Sequence, residues 1–270
     1  MAEADSSGSI STKQYGDLHV TVGDDFVATA EIRRAPNNFF DIALIDSLSA
    51  AFEDLDADVA CRAIVLCSEG KHFCAGANFG SDGERRSENS SDGRHLYDEA
   101  VRLFSTRTPV VAAVQGAAIG GGLGLALMPD FRVGAPEARF AANFARLGFH
   151  HGFGLTVTLP RLVGQQRALE MLYTGRRLKG DEALQIGLLD RLVPLEMVRS
   201  AAHELAAEIA GSAPLAVESI RETMRGDLAQ AIRSATDREK AEQDRLRGTN
   251  DWKEGVAAMA DRRAPRFTAS

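Results

Sequence analysis

Hydrophobic and polar positions change their rhythm several times along the first two thirds of the chain. Residues 17–22 and 26–33 (FVATAEIR) read as a pair of strands, and 43–56 (ALIDSLSAAFEDLD) places apolar residues at helical spacing. CRAIVLCS (61–68) is an apolar run short enough for a buried strand, 94–106 has a helical pattern, and VVAAVQG (110–116) is a second buried strand. Glycine-rich chain and an apolar helix to Met128 follow. This alternation predicts an α/β fold with a mainly parallel sheet covered on its faces. From about residue 165 the pattern becomes helical, with Ala- and Glu-rich segments at 195–211, 214–224 and 228–247. Segment 80–93 (GSDGERRSENSSDG) is polar and long for a connection, which predicts a mobile surface loop beside a site.

Composition narrows the function classes. The 270 residues are 44% apolar and 26% charged, enough for one sizeable core, and the net charge of −7 argues against a nucleic-acid partner. The N-terminal 14 residues are polar and lack a signal-peptide pattern, and no stretch has the apolar length of a membrane span. The expected location is cytoplasmic, with a disordered leader over 1–14. Cys61, Cys67 and Cys74 lie in strand-like context without metal-ligand spacing, so they are expected as buried thiols and no metal site is expected.

Two small-residue segments carry the candidate chemistry. GAAIGGGLGLAL (116–127) fails the dinucleotide fingerprint, because G-x-G-x-x-G read from Gly120 or Gly122 ends on Leu125 or Leu127. Neither a nucleotide-triphosphate loop nor a serine-hydrolase elbow is present. KHFCAGANFG (71–80) and GAAIGGG each follow an apolar strand, and parallel neighbours end on the same side of a sheet. Two such turns can aim backbone N–H groups at one oxygen, and small side chains keep the approach open.

F-C-A-G-A-N at 73–78 and V-x-G-x-x-x-G-G-G at 114–122 resemble two motifs of the crotonase (enoyl-CoA hydratase/isomerase) superfamily. The resemblance runs through FRVGAPEARFAANFARLGF (131–149) and LPRLVGQQRALEMLYTGRRLKGDEALQIGLLDRLVP (159–194) to DWKEGVAAMADRRAPRF, covering about residues 17 to 267. It implies a spiral of β-β-α repeats with a helical C-terminal region. The division then expected is a leader 1–14, a core spiral domain 15–200 and a trimerisation region 201–270. It also implies an acyl-CoA substrate, a place in fatty acid metabolism, no cofactor beyond the coenzyme A of the substrate, and a homotrimer or dimer of trimers.

Carried over by the same resemblance, Ala77 and Gly121 supply the oxyanion-hole N–H groups for a thioester enolate. Ala75, Gly76, Ala77, Asn78, Phe79, Gly80, Gly120, Gly121 and Phe144 line the substrate. The glutamates that hydrating members use fall at Gly124 and Phe144, and an acid used by other branches falls at Gly152. Neither Gly nor Phe moves a proton, so the expected reaction is decarboxylation, hydrolysis or isomerisation of an acyl-CoA rather than hydration. The enzyme would then be a lyase, isomerase or hydrolase.

His150 and His151, two residues or fewer before Gly152, are the candidate acid or base. Asn78, at the motif's usual aspartate, is expected to serve the turn, and His72 is expected at the surface. Asp82, Glu84, Arg85 and Tyr97 are possible additions to a closed site, and Lys71, Arg85 and Arg86 are candidates for coenzyme phosphates. Two other readings stay open: a silent CoA-ester-binding protein, and a true enoyl-CoA hydratase that uses His150 or His151. If the substrate brings its own acid, Phe144, Phe149 and Phe153 suit a bulky, cyclic or aromatic acyl group.

Overall fold

A computed structural model of the chain describes residues 11–78 and 94–270. In chain order, β1 (Ser11–Tyr15), β2 (Leu18–Val22) and β3 (Val27–Ile32) lead to α1 (Ile42–Ala57), β4 (Ala63–Ser68), α2 (Leu96–Phe104) and β5 (Val110–Val114). Then come β6 (Ala117–Ile119), α3 (Gly121–Leu127), β7 (Phe131–Gly134), β8 (Arg139–Ala141), α4 (Leu155–Val163) and α5 (Gln165–Thr174). The rest is β9 (Leu178–Lys179), α6 (Gly180–Gln185), β10 (Arg191–Leu192), α7 (Val198–Ala210), α8 (Pro214–Arg225), α9 (Leu228–Arg247) and α10 (Asn250–Ala260). Among the described residues, no helix is long and apolar enough to cross a membrane.

The larger sheet has the order β1-β2-β3-β4-β5-β7-β10, antiparallel across β1, β2 and β3 and parallel from β3 onward. The predicted leader therefore ends earlier than expected: residues 11–14 belong to β1, whose ladder with β2 is closed by the turn at Gly16.

Every residue of β4 is buried because the sheet is covered on both faces. Ile64 and Leu66 join the large core with Leu48 and Phe52 of α1, whereas Ala63, Val65 and Cys67 join Val111, Val133 and the Ala202, Leu205 and Ala206 stripe of α7. A helix expected as part of the 201–270 appendage thus closes the second face of the core sheet, which corrects the boundary drawn at 200. The three cysteines are buried thiols; desolvation pushes Cys61 and Cys74 up to about 12.

The smaller sheet, β6-β8-β9, begins where the larger one ends. Cys74 pairs with Ala118 as an isolated parallel bridge, and the backbone bonds Cys74 N–H to Ala117 O (2.9 Å) and Ile119 N–H to Cys74 O (3.1 Å) hold the two glycine-rich segments side by side. Gly122 stands at the tightest point of this contact. A Cβ there would collide with the Cys74 carbonyl oxygen and lie 2.9 Å from Cys74 Sγ. Gly122→Ala is expected to force the segments apart and lower stability by about 1–3 kcal/mol, the usual range for overpacking. An unchanged urea midpoint would contradict this contact.

Candidate active site

The site grows out of β4 and β5. As parallel neighbours they deliver residues 73–78 and 115–121 to one edge of the sheet, as the apolar runs and glycines of the sequence foretold. Gly76, at φ +86°, adopts backbone that favours glycine, and a Cβ on it would lie 2.6 Å from Ile119 O and 3.8 Å from Gly121 N. Ala77 and Gly121 are thereby brought to one place. Gly121 opens α3, so its N–H belongs to the first turn, which has no partner inside the helix. Among the described residues, no acceptor takes the N–H of Ala77 or of Gly121.

A brace that sequence reasoning did not single out holds the first of these turns. Asn38 is fully buried at φ 48°, and its Nδ2 donates to Glu69 O (2.8 Å) and His72 O (2.6 Å) while its Oδ1 accepts from Arg34 N–H (3.0 Å). Ala75 N–H donates to Asn37 O and Phe40 N–H to Gly76 O, completing the strap. The Asn-Asn pair after Pro36 was the available signal, since asparagine tolerates left-handed backbone.

These turns border a cavity of about 440 Å³. Ala75, Gly76, Ala77, Asn78, Gly120, Gly121 and Phe144 all line it; Phe79 and Gly80 lie outside the described residues, as do Asp82, Glu84, Arg85 and Arg86. His72, expected at the surface, lines the cavity too, half-buried, and its Nδ1 accepts from Ala117 N–H at 3.2 Å. Arg139, Arg177 and Arg247 bring positive charge to the lining, and no carboxylate occurs among the described residues that form it.

Aromatic rings fill much of the wall. Phe153 meets Phe40 edge to face at 5.5 Å, Phe144 meets Phe149 at 5.4 Å, and Phe149 meets Trp252 of α10 at 4.5 Å. Gly124 is hidden behind this layer: a Cβ there would come within 2.9 Å of Phe153 Cβ and Cδ1. Gly152 is open on the cavity side, but a Cβ on it would collide with the phenol oxygen of Tyr97 and lie 2.6 Å from Gln243 Nε2. Tyr97 donates to Gln243 Oε1 (3.0 Å), and Gln243, from α9, donates through Nε2 to His150 O (3.0 Å). Gln243 was not foreseen, because nothing in a polar helix such as α9 marks one glutamine as inward-facing.

His150 and His151 do not line the cavity. Their rings stack on each other at 4.1 Å; His150 Nδ1 bonds to His151 O and His151 Nε2 to Thr156 Oγ1, each at 2.8 Å. Burial, followed by the neighbouring imidazole of His150, holds the His151 imidazole down to about 4, so it is neutral at neutral pH. The expectation that either ring serves the acyl end as acid or base is corrected by this geometry: the chain turns at Gly152 and sends both rings toward α9.

What they approach is Glu239 of α9, fully buried, its carboxylate accepting from Gly154 N–H (2.9 Å), Thr156 N–H (3.0 Å) and Thr156 Oγ1 (2.6 Å), with His151 Nε2 at 3.9 Å. Desolvation pushes this carboxyl up while the three donors oppose the shift. Glu239 is therefore a cap on the first turn of α4 that pins residues 149–154, the cavity wall, to the C-terminal helices.

A family model described as enoyl-CoA hydratase/isomerase matches residues 24–270. "Probable enoyl-CoA hydratase" of Bacillus subtilis (strain 168) is 31% identical over 250 residues, covering 90% of this chain and 96% of that protein. "Enoyl-CoA isomerase/hydratase fer4" of Mycosarcoma maydis is 33% identical over 215 residues, covering 77% and 76%. The crystal structure of an enoyl-CoA hydratase/isomerase from Pseudoalteromonas atlantica T6c superposes with a TM-score of 0.84 at 28% identity, covering 93% of this chain and all of that one.

Glu239→Ala leaves the buried Gly154 N–H and the half-buried Thr156 N–H and hydroxyl without their acceptor, and an expected loss of about 1–3 kcal/mol follows. The cavity wall loosens with it. Urea unfolding checks the first effect and hydrogen exchange at residues 149–156 the second; wild-type values in both would show that the cap is dispensable.

Proposed function

Since the chain belongs to the enoyl-CoA hydratase/isomerase family, we propose that its cavity binds an acyl-CoA thioester and stabilises the enolate formed from it with the backbone N–H groups of Ala77 and Gly121. The single observation that carries this reading is the approach of the two glycine-rich turns, which sets Ala77 and Gly121 in the lining of the same cavity with no acceptor for either N–H group among the described residues. A thioester carbonyl seated there gains negative charge as the α-carbon becomes nucleophilic, and each well-placed donor stabilises that charge more than the neutral ground state. The donors are main-chain atoms fixed by sheet pairing, so no reorganisation is needed when the charge appears.

The finer reaction follows from what surrounds the carbonyl. Gly124 is backed by Phe153, Phe144 is packed on Phe149, and Gly152 faces Tyr97 and Gln243, so none of the three positions offers a carboxylate. Hydration of a double bond needs groups that take a proton from water and return one to carbon, and the described lining provides no pair of carboxylates for this. Reactions in which the substrate supplies the electron pair or the proton fit better: decarboxylation, hydrolysis or isomerisation of an acyl-CoA. The aromatic wall favours an apolar or cyclic acyl group. Coenzyme A enters as part of the substrate, its phosphates drawn by arginines such as Arg139 and Arg177.

Self-association as a trimer or a pair of trimers belongs to the same proposal. Leu215, Ile220 and Met224 stand exposed on α8.

A panel of crotonyl, 3-enoyl, malonyl-type and cyclic β-keto CoA thioesters tests the reading. Turnover is expected among the later members, with crotonyl-CoA hydrated far more slowly than by an ordinary hydratase. Ala77→Pro deletes one N–H and is expected to lower kcat about 10²–10³-fold on the productive substrate, with thioester binding measured alongside. Rapid hydration of crotonyl-CoA would overturn the non-hydratase assignment; full activity of Ala77→Pro would remove Ala77 from the mechanism.

A further inference from the structure

The two turns that carry Ala77 and Gly121 are joined by a short parallel ladder with one rung out of step. Ile119 N–H donates to Cys74 O (3.1 Å) and Cys74 N–H to Ala117 O (2.9 Å). Continued in step, the next rung would run from Ala117 N–H to the His72 carbonyl. The segment slips there instead: Phe73, not His72, donates to Gln115 O (2.8 Å), and the His72 carbonyl accepts from Asn38 Nδ2 at 2.6 Å. A side chain fills the vacant rung, with Ala117 N–H donating to His72 Nδ1 at 3.2 Å. The ring reaches this place over bare backbone, because a Cβ on Gly116, at φ +62°, would collide with Lys71 O and lie 2.8 Å from Nδ1.

That bond fixes the state of the imidazole. A backbone N–H only donates, so Nδ1 must carry a lone pair, and the proton of the neutral ring sits on Nε2. Imidazolium has a proton on both nitrogens and would set two donors against each other. The charged groups that act on the ring are Lys71 of its own segment and Arg139 of β8, both cations; Asn38 and Gln115, which bond the same segment, are neutral amides. Burial first, then those two charges, lower the His72 pKa from its ordinary 6.5. The rung is therefore complete at neutral pH and is lost as the pH falls through the lowered value.

Resting on the acyl-CoA reading above, we propose that His72 is a positioning residue for the oxyanion hole: its neutral imidazole, accepting at Nδ1, supplies the rung that keeps Gly121 in line with Ala77. One segment runs from His72 through the Cys74 bridge to Ala77, and the other from Ala117 through β6 to Gly121, so the bond ties the starts of both turns. Its loss leaves the rungs at Cys74 in place but frees the first residue of β6. Two main-chain donors that must meet one oxygen then no longer share a fixed frame. His72 acts through this backbone and takes no proton from the substrate.

The thioester carbonyl itself reports the effect. Pentanoyl-CoA labelled with ¹³C at the thioester carbon is bound at saturation to the full-length protein, and its infrared shift is followed across the histidine range, from about pH 8 to about pH 4.5. In the wild type the shift to lower frequency is expected to fall by about half or more on acidification, as one of two donors leaves the oxygen. His72→Asn puts a carbonyl oxygen that does not titrate near the place of Nδ1, and is expected to give a shift that is flat with pH and larger than that of His72→Ala. His72→Ala is expected to show the reduced shift at every pH. A wild-type shift that is flat across the range, an acid loss that survives His72→Asn, or a shift in His72→Asn no larger than in His72→Ala would overturn the proposal and leave the acyl-CoA reading standing. Should His72→Ala not fold, the first two outcomes decide. An ester that does not bind the wild type at about pH 8, or binds there without a shift, would overturn the acyl-CoA reading and the role of His72 with it.

Discussion

The close approach of two stretches of main chain sets the rest of the architecture. Residues 73–77 and 115–122 exchange backbone hydrogen bonds around Cys74, and Gly122 sits where even a methyl group would strike the Cys74 carbonyl. This contact joins the larger sheet to the smaller one, because β6 begins within it. It also decides where Ala77 and Gly121 point. Catalysis by main-chain donors demands this kind of construction: an N–H cannot be moved by a rotamer change, so the placing of two of them is the placing of two pieces of backbone. The buried side of each segment is then spent on packing, and the cavity side is left bare.

Around that fixed centre, much of the described lining is built from aromatic side chains that exclude water. Phe153 backs Gly124, Phe144 leans on Phe149, and Phe149 reaches Trp252, so an aromatic layer extends from α3 to α10. The C-terminal helices take part in the site rather than merely following it: α9 supplies Gln243 to the lining and Glu239 to the first turn of α4. The two histidines, conspicuous in a sequence, are turned toward that same carboxylate and away from the cavity. Their adjacency stacks the rings on each other, and burial keeps His151 uncharged at neutral pH.

Much of this was legible in the chain itself. Period-two and apolar runs marked β2 to β5, and the small residues at 73–78 and 116–122 marked the site, because these signals depend on neighbours in sequence. β1 was lost to the leader because its five residues are polar or exposed and pair only along one edge. The place of α7 was missed for a different reason: an Ala-rich amphipathic stripe shows that something is covered, not which layer it covers. His150, His151 and Gln243 mark the limit most clearly. Which way a side chain leaves a tight turn such as 150–154, and which residue of a later helix fills the space beside a glycine, depends on contacts 90 residues or more apart in sequence.

The central claim is that Ala77 and Gly121 polarise a thioester carbonyl, and the infrared stretch of that carbonyl reports it directly. With pentanoyl-CoA labelled with ¹³C at the thioester carbon, the account predicts a shift to lower frequency on binding, as two donors draw charge onto the oxygen. The shift should shrink in Ala77→Pro. A bound ester whose carbonyl absorbs at its solution frequency would contradict the account, leaving a protein that holds the thioester without activating it.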